Sequence, residues 1–395
     1  MISTEDKSLC CGCGSCVKVC PKGAVTMEAD QCGSKYPKID TKKCIDCGIC
    51  DKHCPILNYS KGEDLSHTVY AAYANDANIR YEGSSGGMFG LLAKSIIAQG
   101  GAVYGAAFDE NFRLRCTRAV TEEELKPLYK SKYLQSELTP AFDSIKSDLE
   151  SGLPVLFVST PCQVFALKLF LKKEYKNLLL VDFLCHGVPS QELFDKCKEY
   201  DEKKQNCKIT DFQFRAKKKN GSTPHYFKMK CRRGEKEYVK TRLYVKSSFY
   251  YGFQKYITLR DSCYSCRFAY SNRCSDITIE DFHTIDKYVQ GINRFDGVST
   301  VCINTEKGSE AWQSIQAKTV STPVDFKLIY DAGALMQGGT RMPPRHNDFV
   351  RAMETEPFDV VADKYLDGSR EYTKQIYYAM PSFVRRIIRK FLRIE

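Results

Sequence analysis

The pattern of apolar and polar positions divides the chain into a short, cysteine-punctuated start and a longer part where apolar runs alternate with polar connections. In the longer part, Pro154 to Ser159 (PVLFVS) and Leu178 to Leu184 (LLLVDFL) are nearly continuous apolar runs, the pattern of strands buried on both faces. Gln163 to Leu171 between them reads as a helix. Such a strand-helix-strand unit makes a right-handed crossover between parallel strands, which puts both carboxyl ends on one edge of the sheet. Upstream, Val69 to Ala74 and Ala102 to Phe108 read as strands, and Met88 to Ala98 as an apolar-periodic helix ended by Gly100 and Gly101. Asp211 to Arg215 and His225 to Cys231 read as a β-hairpin whose turn carries Lys217, Lys218 and Lys219 as solvated residues, with an acidic partner or a sugar phosphate as the alternative use of their charge. Near the end, Val384, Ile387, Ile388, Phe391 and Leu392 form one helical stripe flanked by Arg385, Arg386, Arg389, Lys390 and Arg393. Such a basic amphipathic helix suits peripheral contact with an anionic membrane, or docking on its own protein.

These elements predict an α/β domain with a mixed sheet around a parallel β-α-β core, and 395 residues, 43% of them hydrophobic, suffice to fill it. The longest apolar stretch, Leu153 to Leu171, is broken by Pro161 and Lys168, short of the roughly 20 apolar residues of a membrane span. The formal charge is +11, but lysine and arginine are scattered and no binding motif accompanies them, so nucleic acid is not an expected partner. The twenty cysteines alter the picture more. Residues 1 to 15 lack the basic start, apolar core and cleavage site of a signal peptide, so reduced, metal-binding thiols in a cytoplasmic protein are expected. Three oxidised clusters on their thiolates would lower the net charge by about 6.

Cys10, Cys13, Cys16 and Cys20 before Pro21 follow C-x2-C-x2-C-x3-C-P, and Cys44, Cys47, Cys50 and Cys54 before Pro55 repeat it. This is the ligand pattern of a small α+β bacterial-type ferredoxin domain with two 4Fe-4S clusters. The fourth cysteine of each run ligates the other cluster, so Cys10, Cys13, Cys16 and Cys54 hold one cluster and Cys44, Cys47, Cys50 and Cys20 the second. Zinc sites use paired C-x2-C knuckles instead of such triplets. Cys11 and Cys32 fall outside the pattern and read as bystanders.

Both buried-type strands run into a cysteine, Cys162 in Thr160-Pro161-Cys162-Gln163 and Cys185 in Cys185-His186-Gly187, so both thiols should face one crevice at the carboxyl edge. Cys263-Tyr264-Ser265-Cys266 supplies a C-x2-C pair and Cys274 follows, enough for a third metal site; a lone pair of this kind leaves zinc open beside a cluster. Gly83-Ser84-Ser85-Gly86-Gly87 enters the helix at Met88, an arrangement that seats a pyrophosphate on unpaired amides or serves merely as loop and cap.

Gly83 to Met88 (GSSGGM), Ser131 to Ser136 (SKYLQS), Thr160 to Gln163 (TPCQ), Cys185 to Pro189 (CHGVP), Ser262 to Phe268 (SCYSCRF) and Ser275 to Phe282 (SDITIEDF) resemble the motifs of the coenzyme F420 hydrogenase/dehydrogenase beta-subunit family. More closely, the chain resembles its bacterial branch with an amino-terminal ferredoxin domain. The resemblance implies a flavin domain with FAD and a third 4Fe-4S cluster on Cys162, Cys185, Cys263 and Cys266, with Cys274 a spare or a substitute for Cys185. It places FAD on Ser85, Gly86, Gly87 and Lys132, the lysine facing phosphate or the flavin ring unless it is an ordinary surface residue. It also departs at Glu280-Asp281-Phe282-His283, where relatives often carry Gly-Asp-Phe-Trp; His283 and His186 read as packing and backbone-satisfied residues, not proton donors.

The expected divisions are a ferredoxin domain at 1–62, a flavin domain in two parts at 67–150 and 151–320, and an extension at 321–395. The expected function is an oxidoreductase passing electrons from a one-electron donor protein through the clusters to FAD and an organic acceptor. The resemblance adds a context, surface-polysaccharide assembly. The rival is an electron-transfer subunit feeding a separate dehydrogenase or hydrogenase; clusters that merely brace the fold are a third reading.

Overall fold

The computed structural model describes residues 2, 6–62, 67–217, 225–282, 285, 296–332 and 336–372. At the start, β1 (Val25–Ala29) and β2 (Lys35–Ile39) pair antiparallel, flanked in sequence by the short helices Ser15–Val19 and Ile49–Lys52. Each helix carries a cysteine of one motif, Cys16 and Cys50, so the internal repeat in sequence is also a repeat in structure.

The remaining strands are β3 (Thr68–Ala74), β4 (Ala102–Phe108), β5 (Leu114–Ala119), β6 (Val155–Val158), β7 (Leu178–Phe183), β8 (Lys208–Gln213), β9 (Tyr226–Arg233), β10 (Lys236–Leu243), β11 (Ile277–Asp281), β12 (Ser299–Ile303) and β13 (Thr319–Val324). Eight of them form one mixed sheet in the order β13-β3-β12-β11-β7-β6-β4-β5. Its centre, β11-β7-β6-β4, is parallel, and the flanks are antiparallel. The continuous apolar runs follow from burial on both sides. Leu156, Leu179 and Val181 pack under the helices Met88–Ala98 and Glu306–Gln316, with Leu91, Leu92 and Trp312. Val155, Phe157, Leu178 and Leu180 face the helices Ala141–Glu150 and Pro161–Leu171, with Phe142, Val164 and Leu167. The second helix starts at Pro161, two residues before the expected Gln163, because proline at the first turn lacks only an amide that would be unpaired anyway.

A second sheet, β10-β9-β8, packs with the helix Gln191–Gln205 around an aromatic core that includes Phe194, Phe212, Phe227 and Phe249. The expected hairpin is β8 and β9, and β10 adds a strand not read from the sequence. The expected division at 150 runs through one sheet, as two parts of one domain would, and the one at 320 falls inside β13, which pairs with β3. Lys218, Lys219, His283 and the basic stripe from Val384 to Arg393 lie outside the described residues. Among the described residues no helix is long and apolar enough to cross a membrane.

Candidate functional site

The cysteines of the first 60 residues fall into two groups. Cys20, Cys44, Cys47 and Cys50 line one small cavity, together with Ile45 and Gly48. In the other group, burial and then the nearby thiols of Cys10 and Cys54 push the Cys16 thiol up to about 12, and Cys54 is likewise raised by burial and by Cys10. Cys13 is buried against the core of the large sheet, with Cys11 packed beside it. The structure thus places Cys54 near Cys10 and Cys16, and Cys20 around one cavity with Cys44, Cys47 and Cys50. Amides turn toward sulfur at both places: Gly12 N donates to Cys10 Sγ at 3.4 Å and Ala24 N to Cys20 Sγ at 3.3 Å. Thiols crowded together and met by amides suit thiolate ligation of an iron-sulfur core, whose added negative charge the amides offset.

At the carboxyl edge of the large sheet, β6 leads into Cys162 and β7 into Cys185. The loop carrying Cys263 and Cys266 folds onto the same place. Burial, then Cys263 and Cys162, hold the Cys185 thiol far above its ordinary value; burial and Cys266 push Cys263 to about 12. Gly187 N donates to Cys185 Sγ at 3.4 Å. Gly187 itself has φ +119, and a Cβ there would stand 2.7 Å from Cys263 Cβ, so this turn closes on the loop only as glycine. A buried ion pair fixes the assembly: Arg273 Nη2 meets Asp182 Oδ2 on β7 at 2.9 Å, and Arg273 Nη1 donates to the Phe268 carbonyl at 3.2 Å. The guanidinium thereby ties the cysteine loop to the strand that ends at Cys185. Cys274 stands aside, its Sγ donating to the Pro161 carbonyl at 3.4 Å. Among the described residues no three histidine, cysteine or carboxylate groups stand close enough to grip a single metal ion.

The glycine-rich turn lies on the same edge. Ala74 at the end of β3 donates its amide to the Gly86 carbonyl at 2.8 Å, and Gly86 N donates to Ser299 Oγ at the start of β12 at 3.0 Å. A Cβ on Gly86 would lie 2.4 Å from the Ala72 carbonyl oxygen, so backbone packs on backbone there. Gly87 begins the helix Met88–Ala98 without a side-chain cap, leaving its first amides to other partners. Cations crowd this turn. Lys217 Nζ donates to the carbonyls of Ser85 and Arg80 at 2.6 Å and of Asp296 at 3.0 Å. Lys130 Nζ donates to those of Tyr81 at 2.5 Å and Gly83 at 3.2 Å. Arg215 pairs with Asp281 and reaches the Ser84 carbonyl at 3.4 Å. Burial, and then Lys130, hold Lys217 down to about 7; Lys130 is lowered to about 8 by burial. Held by these carbonyls, the two lysines and Arg215 place positive charge beside the glycine turn.

Four expectations change. Lys217 is not a solvated turn residue but sits against the glycine turn. Lys132, lowered to about 7 by burial, donates at 2.7 Å to the carbonyls of Pro127 and Tyr129, so it is neither an exposed lysine nor aimed at a ligand here. His186, read as a backbone-satisfied residue at a strand end, is exposed, stacks on the Tyr256 ring and meets its hydroxyl at 3.2 Å. Cys11, read as a bystander, lies beside Cys13 and Cys162, and Cys13 together with burial holds its thiol well above the ordinary value, whereas Cys32 stands apart. The sequence signal for Lys130 and Arg215 was absent, since scattered basic residues look alike until folding selects them.

Comparison with known proteins agrees with the motifs. Residues 9–57 match the 4Fe-4S dicluster domain. Residues 153–325 match the carboxyl-terminal domain of the coenzyme F420 hydrogenase/dehydrogenase beta-subunit family. A curated relative, the coenzyme F420-dependent sulfite reductase of Methanocaldococcus jannaschii, is 27% identical over 330 residues, 79% of this chain and 47% of the relative. The chain spans about half the length of that relative. Among solved structures, a chain of the F420-reducing NiFe hydrogenase complex from Methanosarcina barkeri aligns over 78% of this chain and 92% of its own, with 16% identity and a TM-score of 0.44. The resemblance drawn from the motifs therefore holds at the level of domains, and an iron-sulfur oxidoreductase or electron-transfer role fits them.

Proposed function

We propose that the protein is an iron-sulfur flavoprotein oxidoreductase. In this reading the two cysteine runs would hold two ferredoxin centres that accept electrons from a one-electron donor protein, and Cys162, Cys185, Cys263 and Cys266 would hold a third 4Fe-4S centre. The turn at Ser84 to Gly87 would seat FAD, facing an organic acceptor. FAD, when bound, supplies the exchange between single electrons and pairs.

The observation that carries the proposal is the shared edge. Cys185 follows the end of β7 by two residues, Asp281 ends β11, and the glycine turn rests on the start of β12 and the end of β3. Neighbouring strands lie about 4.8 Å apart, so the turn and Cys185 are about 10 Å apart along that edge. Lys217, Lys130 and Arg215 would neutralise the pyrophosphate, and the capless helix start would add its amides. The four thiols converge without closing on a single ion, and a 4Fe-4S cube holds its thiolates farther apart than zinc does, which favours the cluster.

Anaerobic purification with iron, sulfide and flavin quantitation on one sample tests this. About twelve irons and one FAD per chain support it; about eight irons and no flavin after attempted reconstitution overturn it. One observation favours a second reading. Residues 153–325 match a family described by its beta subunit, so this chain would be the electron-transfer subunit of a complex whose final acceptor is reduced by a separate protein. A stable complex, and no acceptor turnover by the isolated chain, would select that reading.

A further inference from the structure

Arg260 is the feature that neither the motifs nor the proposed electron path accounts for. Its side chain is buried, 2% exposed, yet among the described residues it has no carboxylate partner at ion-pair distance. A buried guanidinium without a counter-ion is costly, so the anion it serves has to be found among its neighbours. Those neighbours are the module's first cysteine loop. Nε donates to the Cys10 carbonyl at 2.6 Å and Nη2 lies 3.5 Å from Cys10 Sγ. Nη2 also donates to the Lys35 carbonyl at 2.6 Å and Nη1 to Gln135 Oε1 at 3.3 Å, while the guanidinium lies 4.1 Å over the Tyr36 ring. The approach is tight enough that a Cβ on Gly12 would stand 2.8 Å from Arg260 Nη1.

The same residue belongs by its main chain to the other centre. Its carbonyl accepts from Cys263 N at 2.9 Å, and its amide donates to the Val188 carbonyl, three residues beyond Cys185, at 3.0 Å. Gln135 completes the junction by donating to the carbonyls of Cys11 and Gly12, both at 2.9 Å, and Cys11 touches Cys162. Cys20, Cys44, Cys47 and Cys50 take no part in it; their cavity opens beside Ile45, which is 58% exposed.

We infer that Arg260 is a positioning residue that joins the Cys10 centre of the module to the cysteine site at the sheet edge and supplies the positive charge that centre needs when reduced. This rests on reading Cys10 as a cluster ligand. Reduction adds one negative charge to the cluster, and a fixed guanidinium beside one of its thiolates favours the reduced form, raising its potential. The Cys10 centre then becomes the exit from the module, and the centre on Cys20, Cys44, Cys47 and Cys50 the entrance. No bond is made or broken in this step; one electron leaves the Cys10 centre and one arrives at the edge site.

The test is a dithionite titration of the full chain followed by electron paramagnetic resonance, with iron content measured on each sample. Cys185→Ala and Cys47→Ser variants identify the signals of the edge site and of the outer module centre. Arg260→Gln should make reduction of the Cys10 centre at least tenfold less favourable, a downward shift of about 59 mV for a one-electron couple, and leave the outer centre unmoved. Arg260→Lys, which keeps the charge, should restore most of that shift. The inference is overturned if the Arg260→Gln potentials match wild type at full iron content, or if Arg260→Lys shifts as far as Arg260→Gln. It is also overturned if both variants lose iron alike, which would make the residue a brace. A wild-type iron content of about eight would sink the third centre in the proposed function, while the shift at Cys10 would still be read separately.

Discussion

The two cysteine-rich regions gather their thiols by opposite means. Between Cys10 and Cys54, each group draws on short loops whose spacing is written in the chain, framed locally by β1, β2 and brief helices, with Arg260 and Gln135 reaching only the Cys10 loop from outside. At the sheet edge, Cys162, Cys185 and the Cys263–Cys266 loop come from distant segments. They meet because β6 and β7 are parallel and because Arg273 ties the loop to Asp182. A local site tolerates damage elsewhere. A site assembled across the fold should fail when any of its supports fails, even one that touches no ligand.

The largest expected effect comes from breaking that support. Arg273→Leu leaves Asp182 buried and unpaired, which costs about 3–5 kcal/mol. Denaturant unfolding should register this loss, and iron should disappear from the edge site while the module's spectra persist. Equal iron loss from both regions would erase the distinction drawn between them. Next in size, Cys185→Ala should remove about four of about twelve irons, and Cys47→Ala a different four, as judged by iron quantitation and electron paramagnetic resonance of each variant.

A smaller effect is expected at the glycine turn. Gly86→Ala places a methyl group against the Ala72 carbonyl, 2.4 Å away in the unrelaxed backbone, and such overpacking costs about 1–3 kcal/mol. The melting temperature and flavin content should fall together with iron content unchanged. Lys217→Gln is milder: FAD affinity should drop about tenfold, equivalent to about 1.4 kcal/mol. The pH dependence has a definite sign. Burial lowers Lys217 from 10.5 to about 7, so in the empty site it is charged below that pH and neutral above it. Phosphate favours the charged form, so binding must take up a proton at higher pH, and FAD affinity should fall about tenfold between pH 6 and pH 8. Fluorescence titration of flavin across that range should show the slope in wild type and lose it in Lys217→Gln.

Much of this architecture could be read in advance, for identifiable reasons. The strands Val69 to Ala74 and Ala102 to Phe108 and the helix Met88 to Ala98 appear at or within one residue of the expected bounds, because buried elements have strongly constrained composition. β10 was missed because Lys236–Leu243 (KEYVKTRL) lacks a clean alternation of apolar and polar residues, being an edge strand that packs only partly. The division at 320 failed because β13 comes last in the sheet's sequence yet pairs with β3, its first strand, and no local pattern announces a partner that distant.

The sequence by itself determined the module, its two cysteine runs and the parallel crossover that brings Cys162 and Cys185 to one edge. These depend on short spacings and on alternation between two buried faces, both of which are local properties. Only the tertiary structure selected Lys130, Arg215 and Lys217 to surround the glycine turn, moved Cys11 from bystander to neighbour of Cys162, and set Arg260 between two centres. Charged side chains are cheap to solvate along most of the surface, so their type and spacing say little. Their role is decided by which few are buried, and burial is a property of the whole fold.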